Sequence, residues 1–225
     1  MENDPTGRKA GVKRQFNSAA ANYDVGAGVF AHFGQRLVAV AEIAPGHRVL
    51  DVASGRGAVL FPADEKAGAS GHATGVDLAE EMVQATNEEA ARRGLRARVQ
   101  VMDAEHLALP DESFDVVVAQ YVITAVPHPE ATLDEFVRVI RPGGEIVLIN
   151  HIGAESGPRA LFEKCFAPIA RRLGWRPEFR FQTLSDWAEK HGGVRVIERR
   201  PMPPLGHFSL IRFERVIDSE SRSAA

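Results

Sequence analysis

The sequence predicts an α/β fold: a mostly parallel sheet of seven strands with helices on both faces and an antiparallel strand pair near the C-terminus. Three observations carry this. The runs VLDVA, FDVVVA and EIVLIN are near-continuously apolar, as strands buried on both faces of a parallel sheet are. Segments of helical period separate them. The strand from Arg48 ends in RVLDV and turns through a glycine-rich loop, and a second apolar run, His72 to Val76, ends in Asp77, twenty residues past Gly57. Strand, glycine loop, helix, strand and acid is the order by which α/β folds hold an adenosine ribose.

Along the chain, Val12, Phe16, Ala19 and Tyr23 fall at helical spacing, with Arg8, Lys9, Lys13 and Arg14 clustered at that helix's start. A second helix is expected over Val29 to Glu42, ended by Pro45-Gly46. The alternation then reads strand 48–52, helix 57–67, strand 72–76, helix 79–93, strands 97–102 and 114–119, helix 130–140, and strand 145–150. Arg141-Pro142-Gly143-Gly144 reads as the helix-ending turn before the fifth strand. Leu161, Phe162, Cys165, Phe166, Ile169 and Leu173 mark an amphipathic helix. Closing strands are expected at 194–199 and 207–215, the second with Phe208, Leu210 and Arg212 on one face. The expected organisation is a single domain over 1–218 with a loose tail at 219–225. Within it, 1–45 forms the lid and substrate side, 46–150 the cofactor core, and 151–218 a further substrate-side helix and the closing strands.

A chain of 225 residues, 44% hydrophobic and 25% charged, suffices for one sizeable core. No apolar run approaches the roughly 18 residues that span a bilayer, and the polar start lacks the core of a signal peptide. Cys165 is the single cysteine, so no intrachain disulfide forms and the cytoplasm is the expected compartment. The net charge of −3 is unevenly spread: residues 1–150 carry 14 basic and 21 acidic side chains, residues 151–225 carry 13 and 9. The basic excess of the C-terminal part suits either an anionic partner or a solvated face.

The loop reads Ala53-Ser54-Gly55-Arg56-Gly57, not the GxGxxG of a dinucleotide site. Arg56 leaves one tight turn and close backbone approach at Gly55 and Gly57, which suits a cofactor with an amino-acid tail and no pyrophosphate. Asp51 can order the turn or reach the tail's ammonium. Asp77 can accept from both ribose hydroxyls. The third strand runs into Asp103-Ala104-Glu105, where a carboxylate can accept from an adenine amino group and the Ala104 amide can serve a ring nitrogen. Each acid also has a plainer reading as a turn or helix cap, and Met82 on a helical stripe as core.

DVASGRG, GVDLAEEMV, MDAEHLALPDESFDVV and RVIRPGGEIVLIN together resemble the Rossmann-like class I S-adenosylmethionine-dependent methyltransferases over about Arg48 to Ile149. The resemblance implies S-adenosylmethionine as cofactor and S-adenosylhomocysteine as product. It implies that Leu78 and Met82 sandwich the adenine, that Gln120 and Tyr121 edge the methyl-transfer site, and that Tyr23 lids the methionine tail. Ala53 replaces the family's first loop glycine, as in ubiquinone and menaquinone methyltransferases. Tyr23, Tyr121 and His151 are the catalytic candidates, as general base or as acceptor-orienting groups, because a base is needed only where the nucleophile arrives protonated.

The C-terminal third, INHIGAESGPRALFEKCFAPIARRLGWRPEFRFQTL with PMPPLGHFSLIRFERV, resembles bacterial phospholipid N-methyltransferases that act on phosphatidylethanolamine. Residues 1–100 look more like quinone or small-molecule methyltransferases. Leu161, Phe162, Phe166 and Ile169 offer an apolar face, and Arg159, Lys164, Arg171, Arg172, Arg176 and Arg180 positive charge, compatible with peripheral docking on the inner face of an anionic membrane. A core-packed helix with solvated arginines is the alternative. The expected reaction is N-methylation of a phospholipid ethanolamine headgroup, with methylation of a soluble quinone or secondary metabolite as the alternative. Two remoter options are a cofactor-binding domain without turnover and a nicotinamide dehydrogenase. The fourth strand ends in Ala119-Gln120-Tyr121 rather than Asn/Asp-Pro-Pro-aromatic, and no dense basic stripe exists, so a nucleic-acid partner is not expected. His106, His128, His151, His191 and His207 are scattered without paired spacing, so no metal site is expected. Oligomeric state is not legible.

Overall fold

The computed structural model describes residues 5–19, 34–154, 179–202 and 206–217, with 157, 160, 161, 163, 165 and 167 between them. One seven-stranded sheet organises them, in the order β3-β2-β1-β4-β5-β7-β6. Its strands are β1 (Arg48–Val52), β2 (His72–Asp77), β3 (Arg98–Val101), β4 (Phe114–Gln120), β5 (Ile140–His151), β6 (Val194–Met202) and β7 (Phe208–Arg215). The first five pair in parallel, and β7 lies antiparallel between β5 and β6. The predicted mixed sheet is therefore the observed one.

The helices are α1 (Pro5–Ala19), α2 (34–40), α3 (Leu60–Ala67), α4 (Glu80–Arg92), α5 (Pro129–Val139), the helical residues within 157–167 (α6), and α7 (Phe181–His191). Burial on both sheet faces explains the unbroken apolar runs. Leu50, Val117, Ile146, Leu148, Ile211 and Phe213 pack on one face with Phe136, Leu184 and Trp187 of α5 and α7. Val49, Val116, Val118, Val147, Ile149 and Leu210 pack on the other with Leu37, Leu60 and Ala63 of α2 and α3. Each buried Val, Leu, Ile or Phe side chain contributes about 1.5–3 kcal/mol on full burial.

Most boundaries fall within a residue of expectation, and the following differences have a physical reason or a larger extent. Helix α3 starts at Leu60, not 57, because Ala53, Gly55 and Gly57 all have positive φ (58°, 49° and 80°) and the loop cannot close into a helix before them. Strand β3 is a residue shorter at each end, spanning Arg98–Val101 rather than 97–102. Arg141–Gly144 is not a free turn: β5 begins at Ile140 and runs through it. A register shift against β4 accommodates the extra residues. Gly143 has φ +77°, and a Cβ on Gly144 would sit 2.7 Å from the Asp115 carbonyl, so both glycines are needed for this bulge. Finally, β6 extends to Met202.

Residues Phe208, Leu210 and Arg212 share a face as expected, but the opposite face of β7, Ile211 and Phe213, is fully buried too, because β7 is an interior strand. Among the described residues of α6, Glu163 and Ala167 are buried, whereas Leu161 is 66% exposed and Cys165 is exposed. Tyr23, Arg159, Phe162, Lys164, Phe166, Ile169, Arg171, Arg172, Leu173, Arg176 and the tail from Ser219 lie outside the described residues. No described helix is long and apolar enough to cross a membrane.

Candidate active site

The carboxyl ends of β1, β2 and β3 build one side of the site. Asp51, the fourth residue of β1, is buried, and its Oδ2 has no hydrogen-bond partner among the described residues. Burial pushes its carboxyl well above the ordinary 3.8; the Ser54 hydroxyl and the Leu60 amide counter this only in part, and the nearby Asp77 charge adds to it.

The loop after β1 is stitched down at every step. The Ser54 amide donates to the Val76 carbonyl at 3.0 Å and the Gly57 amide to the Ser54 carbonyl at 2.9 Å. The Thr86 hydroxyl of α4 donates to the Gly55 carbonyl at 2.6 Å. Asp77 closes the arrangement: its Oδ2 accepts from the Gly55 amide and its Oδ1 from the Ala79 amide, both at 2.9 Å. Burial raises the Asp77 carboxyl, against the amides of Ala79, Gly55 and Leu78. Asp77 is thus both the acid the motif predicts and the anchor of the glycine loop. Gly75 makes this possible, since a Cβ there would collide with the Ser54 hydroxyl.

Met82 is fully buried beside Ala79, and Leu78 is half-buried. Asp103 follows β3, and its Oδ1 accepts from the Glu105 amide at 3.0 Å. Its Oδ2 lies 2.6 Å from Lys9 Nζ of α1, which also reaches Glu105 Oε2 at 2.6 Å. Glu105 is more deeply buried, and its carboxylate accepts from the His128 amide at 2.9 Å and faces His128 Nδ1 at 3.1 Å. Its side chain ties α1 to the segment before α5, a role no spacing in the sequence signals. Burial raises the Glu105 carboxyl, but Lys9 and His128 outweigh it and hold it below the usual range. Ala104 is half-buried between the two acids.

The ends of β4, β5 and β7 build the other side. Gln120 closes β4, and Tyr121 follows with φ +62°, a left-handed conformation that turns the chain sharply while its amide still donates to the Ile149 carbonyl at 2.8 Å. The Tyr121 and Phe208 rings lie 4.9 Å apart. His151, the last residue of β5, lies 6.2 Å edge-on from Phe208 and 6.4 Å from the stacked ring of His207. Glu163 of α6 sits between the imidazoles: Oε1 is 3.6 Å from His151 Nε2 and 3.9 Å from His207 Nδ1. Its Oε2 accepts from the Ala154 amide at 2.7 Å. The expectation of scattered histidines is corrected here, because the interior placement of β7 brings His207 to His151. A glutamate on the buried face of α6 is the signal that points to Glu163.

A mostly parallel α/β sheet with a stitched glycine loop after β1 and acids at the carboxyl ends of β1, β2 and β3 is the arrangement of nucleoside-cofactor-binding α/β proteins. Residues 43–175 match the methyltransferase-domain family. The chain is 36% identical to a phosphatidylethanolamine N-methyltransferase of Cereibacter sphaeroides over 87% of this chain and 93% of that protein. It is 34% identical to an aklanonic acid methyltransferase of a Streptomyces strain (84% and 90% covered) and 33% identical to a ubiquinone/menaquinone biosynthesis C-methyltransferase of Cupriavidus taiwanensis (93% and 90%). Among solved structures, a SAM-dependent methyltransferase from Aquifex aeolicus superposes with a TM-score of 0.63 at 20% identity, covering 82% of this chain and 89% of that one. The chain belongs to the class I S-adenosylmethionine-dependent methyltransferases.

Proposed function

We propose that the enzyme transfers a methyl group to the ethanolamine nitrogen of a phospholipid at a membrane surface. The observation that carries this is the 36% identity to the phosphatidylethanolamine enzyme over 87% of this chain and 93% of that one, a span too long to be confined to the segment matched by the methyltransferase-domain family. Leu161, 66% exposed on α6, supports it as an apolar contact with a bilayer.

Bound S-adenosylmethionine supplies an activated sulfonium methyl. The buried Oδ2 of Asp51, lacking a partner, fits the cationic amine of its tail. Ala53, Gly55 and Gly57 let the loop backbone approach. Asp77, with two amides on its oxygens, retains acceptor capacity for ribose hydroxyls. Asp103, the Ala104 amide and Glu105, with Leu78 and Met82, would hold the adenine end. Gln120, at the end of β4, would border the acceptor side. Tyr121 and His151, at the ends of β4 and β5, would orient the nucleophile and remove its proton. Holding the nucleophile in line carries much of the rate.

Methylation of a dissolved small molecule is the second reading, favoured by the likeness to the aklanonic acid enzyme over 90% of its length. S-adenosylhomocysteine release is measured with mixed vesicles containing phosphatidylethanolamine and with matched vesicles lacking it. Release that requires the ethanolamine lipid is expected; equal release with neither lipid, or only with a dissolved acceptor, rejects the phospholipid reading.

A further inference from the structure

We infer that Lys9 is a positioning residue for the methyl donor: it clasps α1 across the adenosine end of the site, so that α1 docking and donor binding strengthen one another. That role rests on the reading in which Asp103 is the acid at the adenine end.

Lys9, Lys13 and Asn17 recur every four residues and so share one face of α1. That face meets the molecule at two places. Lys9 Nζ lies 2.6 Å from both Asp103 Oδ2 and Glu105 Oε2, in the segment after β3. Lys13 pairs with Glu80, and Asn17 Nδ2 donates to Glu80 Oε2 at 3.4 Å, at the start of α4 after β2. Strands β2 and β3 are neighbours in the sheet, about 4.8 Å apart. The eight residues from Lys9 to Asn17 rise about 12 Å along the helix. Helix α1 therefore bridges the segment that carries Asp77 and Leu78 and the segment that carries Asp103 and Ala104.

The two attachments are unequal. The Lys13 and Glu80 side chains are 36% and 52% exposed, and a pair so open to water contributes little. Lys9 instead meets a Glu105 side chain that is 2% exposed. Without Lys9 that buried carboxylate keeps, among the described residues, only the amide and ring of His128, and an under-compensated buried charge is costly.

Clasp and cofactor do not compete for Asp103. A carboxylate offers about four lone-pair sites. Oδ1 accepts from the Glu105 amide and Oδ2 from Lys9, which leaves capacity for an adenine amino group. Held at both oxygens, Asp103 is oriented before the nucleoside arrives, and preorganisation of this kind raises affinity. Linkage makes the effect reciprocal: where docked α1 raises donor affinity, bound donor raises α1 docking by the same factor. The donor and its product then exchange as the clasp opens, and Lys9 sets that rate.

The test uses the full chain with S-adenosylhomocysteine, reading affinity by calorimetry, release by stopped-flow displacement and α1 docking by hydrogen exchange. In the parent, bound S-adenosylhomocysteine is expected to slow amide exchange in α1 by about fivefold or more, a readout that needs no variant. Lys9→Met is expected to weaken S-adenosylhomocysteine by a similar factor, chiefly through faster release. Lys9→Arg, which keeps a cation between the two carboxylates, recovers most of the affinity, and Lys13→Met changes it less than twofold. 5′-Methylthioadenosine, which lacks the amino-acid tail, shows the same dependence on Lys9. Equal or tighter binding by Lys9→Met overturns the proposal, tighter binding showing that Lys9 competes with the nucleoside. So does α1 exchange that ignores S-adenosylhomocysteine, or an equal loss in Lys13→Met. The Asp103 reading is separable: parent-like affinity in Asp103→Ala beside a loss in Lys9→Met upholds the clasp through Glu105 and rejects Asp103 as the adenine acid.

Discussion

At the scale of single residues, the cofactor side of the site is kept under electrostatic tension. Asp51 has its carboxyl raised by burial, so the folded protein binds its proton more tightly than the unfolded chain does. Stability without cofactor therefore falls as pH rises from 3.8 through the raised value. Asp51→Asn removes that dependence: at pH 7 it should melt higher than the parent without cofactor, yet bind S-adenosylmethionine at least tenfold more weakly. Differential scanning calorimetry and calorimetric titration report the two effects, and loss of stability in Asp51→Asn would reject this account. Asp77→Ala should weaken the cofactor by roughly 1.5–3 kcal/mol per charge-assisted hydrogen bond lost. Because Asp77 also holds the Gly55 amide, its effect should exceed that of Asp103→Ala in the same titration. Ala53, at φ +58°, carries a left-handed penalty of about 1–2 kcal/mol. Ala53→Gly relieves it and loses about 0.4–1 kcal/mol through the unfolded chain, so a melting temperature raised by about 1–3 °C is expected.

At the scale of elements, charge helps to hold α1. Its ion pairs and hydrogen bonds to the rest of the molecule include those of Lys9 with Asp103 and Glu105 and of Lys13 and Asn17 with Glu80. Lys9→Met should loosen α1 and speed its amide exchange about tenfold, a cost near 1.4 kcal/mol. The sign of the pH dependence follows from both partners. Glu105 titrates below 4.5 in the folded protein, so its contribution is lost as pH falls through that lowered value. Burial lowers the Lys9 ammonium, but Asp103 and Glu105 raise it overall above 10.5, so its contribution is lost as pH rises past that. Docking of α1 should be flat between about pH 5 and 10, and a midpoint near pH 7 by hydrogen exchange would assign it to another group. The candidate-site residues that the sequence singles out share one property: their pattern is local. The Gly55-Arg56-Gly57 loop, Asp77 and Asp103 each sit at the end of an apolar run, where period and punctuation reveal them. Lys9 meets Asp103 from 94 residues away, and Glu163 lies beside two histidines distant from each other in the chain, so only the fold reveals them. The glycines of Arg141–Gly144 misled for the opposite reason, since the same residues that end helices also permit a bulge within a strand.

At the scale of the whole molecule, charge divides along the chain. The acidic excess lies in residues 1–150, which hold β1 to β4 and nearly all of β5, and the basic excess in the residues after them, which hold β6 and β7. If the basic part meets an anionic bilayer, binding to phosphatidylglycerol-containing vesicles should weaken as salt rises from 50 to 300 mM at a cost of about 1 kcal/mol per basic contact screened. Leu161→Asp should weaken it further by roughly 1.5–3 kcal/mol, measured by flotation; equal flotation at both salts would reject charge-assisted docking.

The place of β7 has a consequence in time. It is synthesised after β6 yet inserts between β5 and β6, and Arg212 on it pairs with Glu145, Glu198 and Glu42. A nascent chain that has emerged as far as β5 already carries the strands, loop and acids of the nucleoside side. Its His151 has no His207 beside it until the last-made strand slots into the sheet interior. The surroundings of His151 are therefore completed only at the end of synthesis, when the final strand of the sheet takes an interior place rather than an edge.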